Sequence, residues 1–234
     1  MVAGPGRKPT VSNFPWASDL MAITTYTNLC TAVENWLARS DLDDRIPEFI
    51  ALFEAKANRE LRCPQMEKRS YTTVDTTDTA PEFISLPGDF QTMRRLRLSG
   101  VTGKPRLANV SGQQADMLRY SVANASSQPE FFTILGNELE LIPTPGQDYE
   151  LEMIYRANLD PLSSTTASNW LLALAPDAYL YGALLEAAPY MKDDNRIAVW
   201  AAGLTTAFDG LNRLGMEQSY MSGPMSVRIE GPVP

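Results

Sequence analysis

The sequence has no histidine and only two cysteines among its 234 residues. Because imidazole is missing, the chain cannot hold a Ser-His-Asp triad, a Cys-His nucleophile pair or a histidine-ligated zinc ion. Two thiols alone, Cys30 and Cys63, make neither a metal site nor a disulfide framework, and both are expected to be small apolar side chains in a reducing compartment. The composition therefore excludes these chemistries, and we predict no metal, no cofactor and no catalytic residues.

Long apolar runs and an excess of positive charge are missing as well. No stretch approaches the roughly 18 apolar residues of a membrane span, and the start of the chain has no apolar signal segment, so we expect neither membrane insertion nor secretion. The formal net charge is −8, which disfavours binding of duplex DNA through a basic face. Fifteen of the 20 basic residues are arginine, the residue suited to bidentate pairing with carboxylates at interfaces.

Two helices are predicted near the N-terminus. Apolar side chains recur at helical spacing over 25–37 and again over 47–62, and Pro47 stands in the first turn of the second helix, where proline is favoured. An acidic run precedes that second helix, and stabilisation of the helix N-terminus is preferred over metal binding as its role. The run consists of Asp41, Asp43 and Asp44.

Helical periodicity returns after a polar linker. Pro176 starts one helix, which Pro189 kinks or ends. The last helix is expected to begin after Asp194, a good capping residue, and to end at Gly215, since glycine commonly ends helices. The neighbouring carboxylates Asp193 and Asp194 are therefore interpreted as capping groups instead of an acid/base pair.

The middle of the chain is predicted to be β-rich. Short apolar runs bounded by Pro, Gly and Asp predict strands, and a short helix is expected among them. Gly136-Asn137 is a two-residue turn that predicts a hairpin. Glu138 and Glu140 alternate with leucines and are expected on the solvent face of that hairpin, which is preferred over a glycosidase pair. The predicted strands are 71–74, 83–86, 94–98, 131–135, 139–142 and 149–155, and the helix is 113–119.

Together these patterns predict an α+β fold, in which the N- and C-terminal helix pairs form a four-helix bundle and the β-rich segment is inserted between them. We expect an extended N-terminal arm at 1–20 and a helical bundle made of 21–65 and 166–215. The inserted β-rich lobe is 66–165, and an extended C-terminal tail follows at 216–234.

The run Met93–Leu98 is the one local concentration of positive charge in the sequence. Its arginines do not all fall on one face of a strand and no aromatic residues interleave with them, which argues against a stacking platform for nucleic acid. A clamp for carboxylates of a neighbouring subunit is the alternative. The candidate inter-subunit ion-pair residues are Arg94, Arg95 and Arg97.

Several segments of the sequence, spread over most of the chain, together carry a resemblance to known proteins. Within 21–62 they are the turn NWLARSDL, the helix start IPEFI and the helix end EAKANRELR. Further along come PGDF at 87–90, the hairpin GNELELIPTP and the stretch NWLLALAPDAYLYGALLEAAPYMKDDNR. Together they cover most of 21–214 and resemble the head-to-tail adaptor (connector) proteins of tailed bacteriophages. Residues 1–20 depart from that pattern as an N-terminal extension, either an alternative start or a real arm.

The resemblance implies a structural virion protein and not an enzyme. Such proteins commonly form a ring of twelve copies that docks beneath the portal, extends the DNA channel and provides the surface for tail attachment. The implied partners are the portal protein, a tail or nozzle protein and further copies of the chain, while genomic DNA passes without sequence-specific binding. The implied location is the head-tail interface of the virion, with assembly in the host cytoplasm.

The segment 216–234 has few charges and several apolar side chains, and we expect it to insert against the portal. Its portal-contact candidates are Tyr220, Met221, Met225, Val227 and Ile229. Two other functions stay open at this point. One is a ligand-binding module whose β-rich lobe recognises a carbohydrate or a protein. The other is a hydrolase using paired carboxylates, which requires two acidic side chains in one cleft.

Overall fold

The computed structural model describes residues 23–39, 41–121, 126–191 and 196–221, with the side chains of 121 and 217–221 outside the description. These residues form a mixed α+β protein. The helices are α1 (Tyr26–Leu37), α2 (Ile46–Glu60), α3 (Gly112–Ser121), α4 (Trp170–Leu174), α5 (Pro176–Met191) and α6 (Ile197–Met221), with a 3-10 turn at Pro64–Met66. The strands are β1 (Glu67–Val74), β2 (Phe83–Ser85), β3 (Phe90–Leu98), β4 (Ala108–Asn109), β5 (Phe131–Leu135), β6 (Glu138–Ile142) and β7 (Tyr149–Ala157).

The chain divides into two units. Unit 1 contains the described residues of 1–53 and 161–204, and unit 2 contains those of 54–160 and 205–234. None of the helices in the described ranges is long and apolar enough to span a membrane. The predicted arm at 1–20 and the predicted cap Asp194 lie outside the described residues.

Helix α1 of unit 1 covers the range that its apolar spacing predicts. The Thr25 side chain accepts a hydrogen bond from the backbone N–H of Asn28 at 3.2 Å, which satisfies one of the free donors of the first turn. Ala38 adopts a left-handed conformation with φ 54° and stops the helix. The buried side chains Leu29, Val33 and Leu37 are four residues apart and form one apolar stripe.

The centre of unit 1 is aromatic. The rings of Phe53 and Tyr179 meet edge to face with centroids 5.0 Å apart, and both side chains are fully buried. The Tyr179 hydroxyl accepts a hydrogen bond from Nδ2 of Asn169 at 2.6 Å. The Oδ1 atom of Asn169 accepts from the N–H of Leu172 at 2.9 Å, so one amide both caps α4 and satisfies a buried phenol.

Unit 2 contains two sheets. The first has the strand order β1-β7-β3 and is antiparallel throughout, and the second has the order β2-β6-β5-β4, with β4 parallel to β5. The hairpin β5–β6 turns at Gly136-Asn137, where Gly136 has φ 63°, which confirms the predicted turn. Both sheets contribute to one apolar core, whose members include Leu96, Leu139 and Leu151.

The predicted strands and the predicted short helix are all present in unit 2. Strands β1 and β3 begin four residues before the predicted starts at Tyr71 and Arg94. Strand β4 was not predicted, because two residues carry no periodicity that a sequence pattern could show. The aromatic side chains of the C-terminal helices are divided between core and surface: Tyr179 and Trp200 are buried, whereas Tyr190 is 54% exposed.

The prediction that Gly215 ends the last helix is wrong. Helix α6 continues to Met221, so 216–221 is helical and not an extended tail. A Cβ atom at Gly215 would lie 2.9 Å from Cδ of Pro64 and 3.2 Å from the carbonyl oxygen of Arg62. Glycine is thus required here because another segment of unit 2 packs against the helix, and not because the backbone must leave the helical conformation.

Helix α5 depends on a second close approach, at Gly182 in unit 1. A methyl group at this position would overlap the ring of Phe53, so Gly182→Ala is expected to lower the free energy of unfolding by about 1–3 kcal/mol through overpacking. Gly210 of α6 is the matched control, because a Cβ atom there meets no other atom within 4 Å. Gly210→Ala should raise the free energy of unfolding by about 0.5–1 kcal/mol. Urea denaturation measures the free energy of unfolding of both variants. An equal change of the same sign in Gly182→Ala and Gly210→Ala would contradict the packing role of Gly182.

Candidate interaction surface

The sheet β1-β7-β3 has one face in the core of unit 2 and one face outside it. Directly opposed residues of an antiparallel pair point to the same face. Leu151, Met153 and Tyr155 of β7 are buried in the core, so the alternate residues of β7 and their partners point outward. The outward rows are Glu67–Arg156–Thr92, Arg69–Ile154–Arg95 and Tyr71–Glu152–Arg97, each read from β1 through β7 to β3.

Six arginines meet on this outer face, which we name the arginine face. Arg106 joins it because its backbone forms an antiparallel bridge with Arg97. Arg94 sits at the irregularity of β3 between Met93 and Arg95 and reaches Glu67 with Nε 3.4 Å from Oε1. The members of the arginine face are Arg69, Arg94, Arg95, Arg97, Arg106 and Arg156.

Two carboxylates neutralise part of this charge. Glu152, whose side chain is only 6% exposed, lies with Oε1 3.1 Å from Nε of Arg69. Glu67 is the second, through its contact with Arg94. Within the residues that the structure describes, no ion pair involves the guanidinium groups of Arg95, Arg97 and Arg106, so the face keeps a net positive charge.

Arg156 shows how crowded the positive charges are. Its guanidinium donates to Oε1 of Gln91 and, at 3.3 Å, to the hydroxyl of Thr92. Burial lowers the pKa of Arg156, and the positive charges of Arg62 and Arg94 lower it further. Mutual repulsion of this kind is relieved when an anionic partner arrives.

A polar network closes one end of the same sheet. The Lys68 ammonium lies 2.9 Å from Oδ2 of Asp89 and 3.1 Å from Oδ1 of Asp160, and the Tyr155 hydroxyl donates to Oδ1 of Asp89 at 2.9 Å. Burial works to raise the pKa of Asp89, but the hydrogen bonds from Lys68 and Tyr155 outweigh it and hold that pKa below its usual value. Burial and the hydrogen bond to Asp89 raise the pKa of Tyr155 to about 12. The network fixes the PGDF segment to β1 and β7.

Glu138 and Glu140, the two carboxylates considered as a glycosidase pair, have different surroundings. Glu138 is exposed, whereas Glu140 is only 6% exposed, so the prediction that both lie on the solvent face is wrong for Glu140. Helix α3 covers this part of the sheet, and Arg119 lies with Nε 2.6 Å from Oε1 of Glu140. The Arg119–Glu140 ion pair therefore stabilises the contact between α3 and β6.

Asp41 and the two cysteines, which the sequence offered as candidate site residues, have surroundings typical of structural residues. Asp41 pairs with Arg39 at 2.6 Å, while Asp193 and Asp194 lie outside the described residues. Burial raises the pKa of Cys30 and raises that of Cys63 to about 11, which opposes thiolate formation. Across the residues that the structure describes, no group of three or more Cys, Asp or Glu side chains could hold a metal ion.

The predicted contact residues are placed as follows. Arg94 and Arg95 are exposed and Arg97 is half-buried on the arginine face. Tyr220 and Met221 are the last residues of α6, and their side chains are outside the description. Met225, Val227 and Ile229 lie outside the described residues altogether.

Sequence reasoning missed half of the arginine face, namely Arg69, Arg106 and Arg156. These residues stand far apart in the chain, and only the register of β1 and β3 on β7, together with the Arg97–Arg106 bridge, brings them together. The sequence alone could have placed Arg95 and Arg97 on one face, since residues two apart on a strand share a face.

A comparison with models of protein families gives a match. The family model described as SU10 adaptor protein matches residues 24–228. A comparison with curated protein sequences finds no match.

The network around Asp89 predicts a pH-dependent stability. Tyr155→Phe removes one donor to the carboxylate and should lower the free energy of unfolding by about 1–2 kcal/mol at neutral pH. A carboxyl group with a depressed pKa contributes stability that is lost as the pH falls through its folded value. The difference between the native chain and Tyr155→Phe should therefore shrink below about pH 4, and again between pH 10 and the Tyr155 pKa of about 12.

Tyr149→Phe is the control for this experiment. Tyr149 is a buried tyrosine on the same face of β7, and no hydrogen bond among the described residues uses its hydroxyl. Urea unfolding from pH 2 to 11 measures all three proteins. A Tyr155→Phe difference that stayed constant over that range would refute the role assigned to Asp89.

Proposed function

The chain belongs to the SU10 adaptor protein family, a family of phage head-to-tail adaptors, and we propose that its copies form a ring beneath the portal that extends the DNA channel. It is a structural component of the phage virion. The observation that carries this proposal is the extent of the family match, which runs from residue 24 to residue 228 and includes residues of both units. A ring of twelve copies is the expected stoichiometry.

The two parts of the chain take different roles in this proposal. The helices of 21–65 and 166–215, arranged as a four-helix bundle, contact neighbouring copies and the portal. The β-rich segment 66–165 faces the tail or nozzle protein. Assembly takes place in the host cytoplasm, and the finished ring lies at the head-tail interface of the virion.

The net charge supports the proposed conduit. A chain with a formal charge of −8 repels the phosphate backbone when its acidic surface lines the channel, so DNA passes without sequence-specific binding. This proposal requires the arginine face to lie away from the channel lumen. Permanent contacts between ring subunits bury on the order of 2,000 Å² or more, and such contacts are where buried or paired arginine is favoured.

The C-terminal segment is proposed as the portal contact. Helix α6 extends to Met221, so Tyr220 and Met221 stand at its end, with Met225, Val227 and Ile229 beyond it. A largely uncharged segment with apolar side chains gains affinity by burying them in a partner.

Removal of residues 222–234 tests this contact while leaving the whole of α6 in place. The truncated chain should bind purified portal rings at least tenfold more weakly, measured by sedimentation velocity. Restoring the length with a Gly/Ser segment should not restore binding, because the lost affinity comes from the apolar side chains.

Electron microscopy of the same mixtures gives the number of copies per portal ring. Twelve copies of the native chain support the ring. Undiminished binding by the truncated chain would remove the tail from the portal interface, and a native chain that ignored the portal under all conditions would overturn the adaptor proposal.

A further inference from the structure

Strand β1 forms an edge of the sheet β1-β7-β3, and no other strand of the described chain pairs with its outer side. It has eight residues, contains no proline and pairs with β7 without a bulge. The edge strands β2 and β4 of the second sheet have only three and two residues. Proteins usually shorten, distort or cover a long edge, because its unpaired backbone groups can accept a further strand.

The opposite edge of the same sheet is covered by the chain itself. The N–H of Leu98 donates to the carbonyl oxygen of Pro105 at 3.1 Å, and the N–H of Leu107 donates to that of Leu96 at 3.0 Å. Leu96 and Leu98 of β3 therefore turn these backbone groups away from β7. Of the two long edges of this sheet, the edge of β1 is the one that the described part of the chain leaves uncovered.

The register shows which backbone groups of β1 face its open edge. Because Leu98 turns its N–H away from β7, its partner Leu151 turns its own backbone groups away from β3 and towards Thr72 of β1. The direction of these groups alternates along a strand, so every second residue of β1 directs them outward. No backbone hydrogen bond among the described residues uses the outward groups of three residues, namely Arg69, Tyr71 and Thr73.

The side chains of the same three residues belong to the outward rows of the sheet. Arg69 is 60% exposed and Tyr71 is 52% exposed, and no lysine stands in these rows. Arginine and tyrosine are enriched where proteins bind one another, whereas lysine is depleted. The six arginines of the arginine face outnumber the outward carboxylates, which are Glu67, Glu150 and Glu152. The open edge thus borders a face that suits an anionic protein partner.

We propose that an extended, acidic segment of the tail or nozzle protein adds to β1 as a further strand and places carboxylates on the arginine face. In this mode of binding, main-chain hydrogen bonds supply affinity and alternate side chains supply specificity. A partner that continues over the sheet meets Arg95 and Arg97, whose guanidinium groups form no ion pair among the described residues and match carboxylates. This inference rests on the proposed function, in which the β-rich segment faces the tail, and it names the surface and the chemistry of the partner.

An extended protein segment fits these features better than the other occupants do. A phosphate backbone has no row of N–H and C=O groups to pair with β1, and the three outward glutamates would repel it. A second copy paired through its own β1 would make a symmetric contact that uses both edges at once. Such a contact ends in a pair of copies, so it could not build the ring.

Hydrogen exchange, read residue by residue, tests the strand pairing on the native chain. In the free chain, the N–H groups of Ser70 and Thr72 face β7 and should exchange at least tenfold more slowly than those of Arg69, Tyr71 and Thr73. Joining purified tails of the same phage to adaptor–portal complexes should slow exchange at these three residues at least tenfold. Unchanged exchange there would overturn the contact.

The same measurement identifies a different occupant of the edge. Slow exchange at Arg69, Tyr71 and Thr73 in the free chain, lost on removal of residues 222–234, would assign the edge to the C-terminal segment of the chain itself. Slow exchange that appears only at high concentration of the free chain would assign it to a second copy. Either result would overturn the contact with the tail.

Tyr71→Pro removes an outward N–H that no hydrogen bond of the described chain uses, and proline is tolerated on edge strands. Portal complexes of this variant should join purified tails at least tenfold more weakly, by sedimentation velocity. Tyr71→Thr is the matched control, because it removes the same side chain and keeps the N–H, so it should join tails at least threefold more tightly than Tyr71→Pro. Equal losses would overturn the strand pairing. Urea unfolding checks that both variants fold, and hydrogen exchange on the native chain decides if the proline variant does not.

Arg95→Glu tests the acidic character of the partner and should weaken the joining of tails at least fivefold. Lys104→Glu makes the same change of charge at an exposed residue of the turn after β3 and should join tails like the native chain. Neither side chain forms an ion pair among the described residues. Undiminished joining by Arg95→Glu would overturn an acidic partner, as would a loss of duplex DNA retention by this variant with tail joining unchanged.

Portal binding separates this inference from the adaptor proposal. A native chain that binds the portal, with tails joining equally well to all variants, would overturn the edge contact and leave the adaptor proposal standing. A native chain that ignores the portal would overturn the adaptor proposal. In that case, slower exchange at the outward N–H groups of β1 on addition of tails alone would still support the edge contact.

Discussion

The register of β7 is the constraint on which unit 2 depends. As the middle strand of its sheet, β7 is paired with β1 along all but its last residue and with β3 along most of its length. Leu151 and Met153 point into the core, and Glu152 points outward between them into a salt bridge with Arg69. A shift of one residue would exchange the two faces, burying carboxylates without partners and exposing the apolar residues. The core and the arginine face are thus two consequences of one pairing.

Polar groups near the core confirm that register. Tyr155 is 4% exposed, yet its hydroxyl reaches Asp89 at the sheet edge, where Lys68 also arrives from β1. Glu140 is buried and is matched by Arg119 of α3. A buried carboxylate is tolerated when it is paired and is costly when its partner is removed. Each of these pairs contributes little to the stability of the native arrangement. An alternative arrangement of the strands would, however, leave a buried carboxylate without its partner, which costs much more.

Much of this fold was predictable from local signals in the sequence. Thr25 as a cap, Pro176 as a helix start and the Gly136-Asn137 turn act within a few residues, so the sequence nearby contains all the information that is needed. Gly215 shows where such reasoning stops, because the atoms of Pro64 that require glycine belong to a residue about 150 positions away in the chain. The prediction that Glu140 faces solvent is wrong for the same reason, since strand alternation cannot show that α3 covers that part of the sheet.

The candidate surface was half predictable. Arg95 and Arg97 are neighbours in sequence, but Arg69, Arg106 and Arg156 join them only through strand register and a backbone bridge. The formal charge of −8 likewise conceals a sheet whose outward rows carry a net positive charge. A uniformly acidic chain would repel its own copies. A net-positive face on an acidic chain instead makes some relative orientations of two copies attractive and others repulsive, and such a dependence on orientation favours an ordered assembly over irregular aggregates.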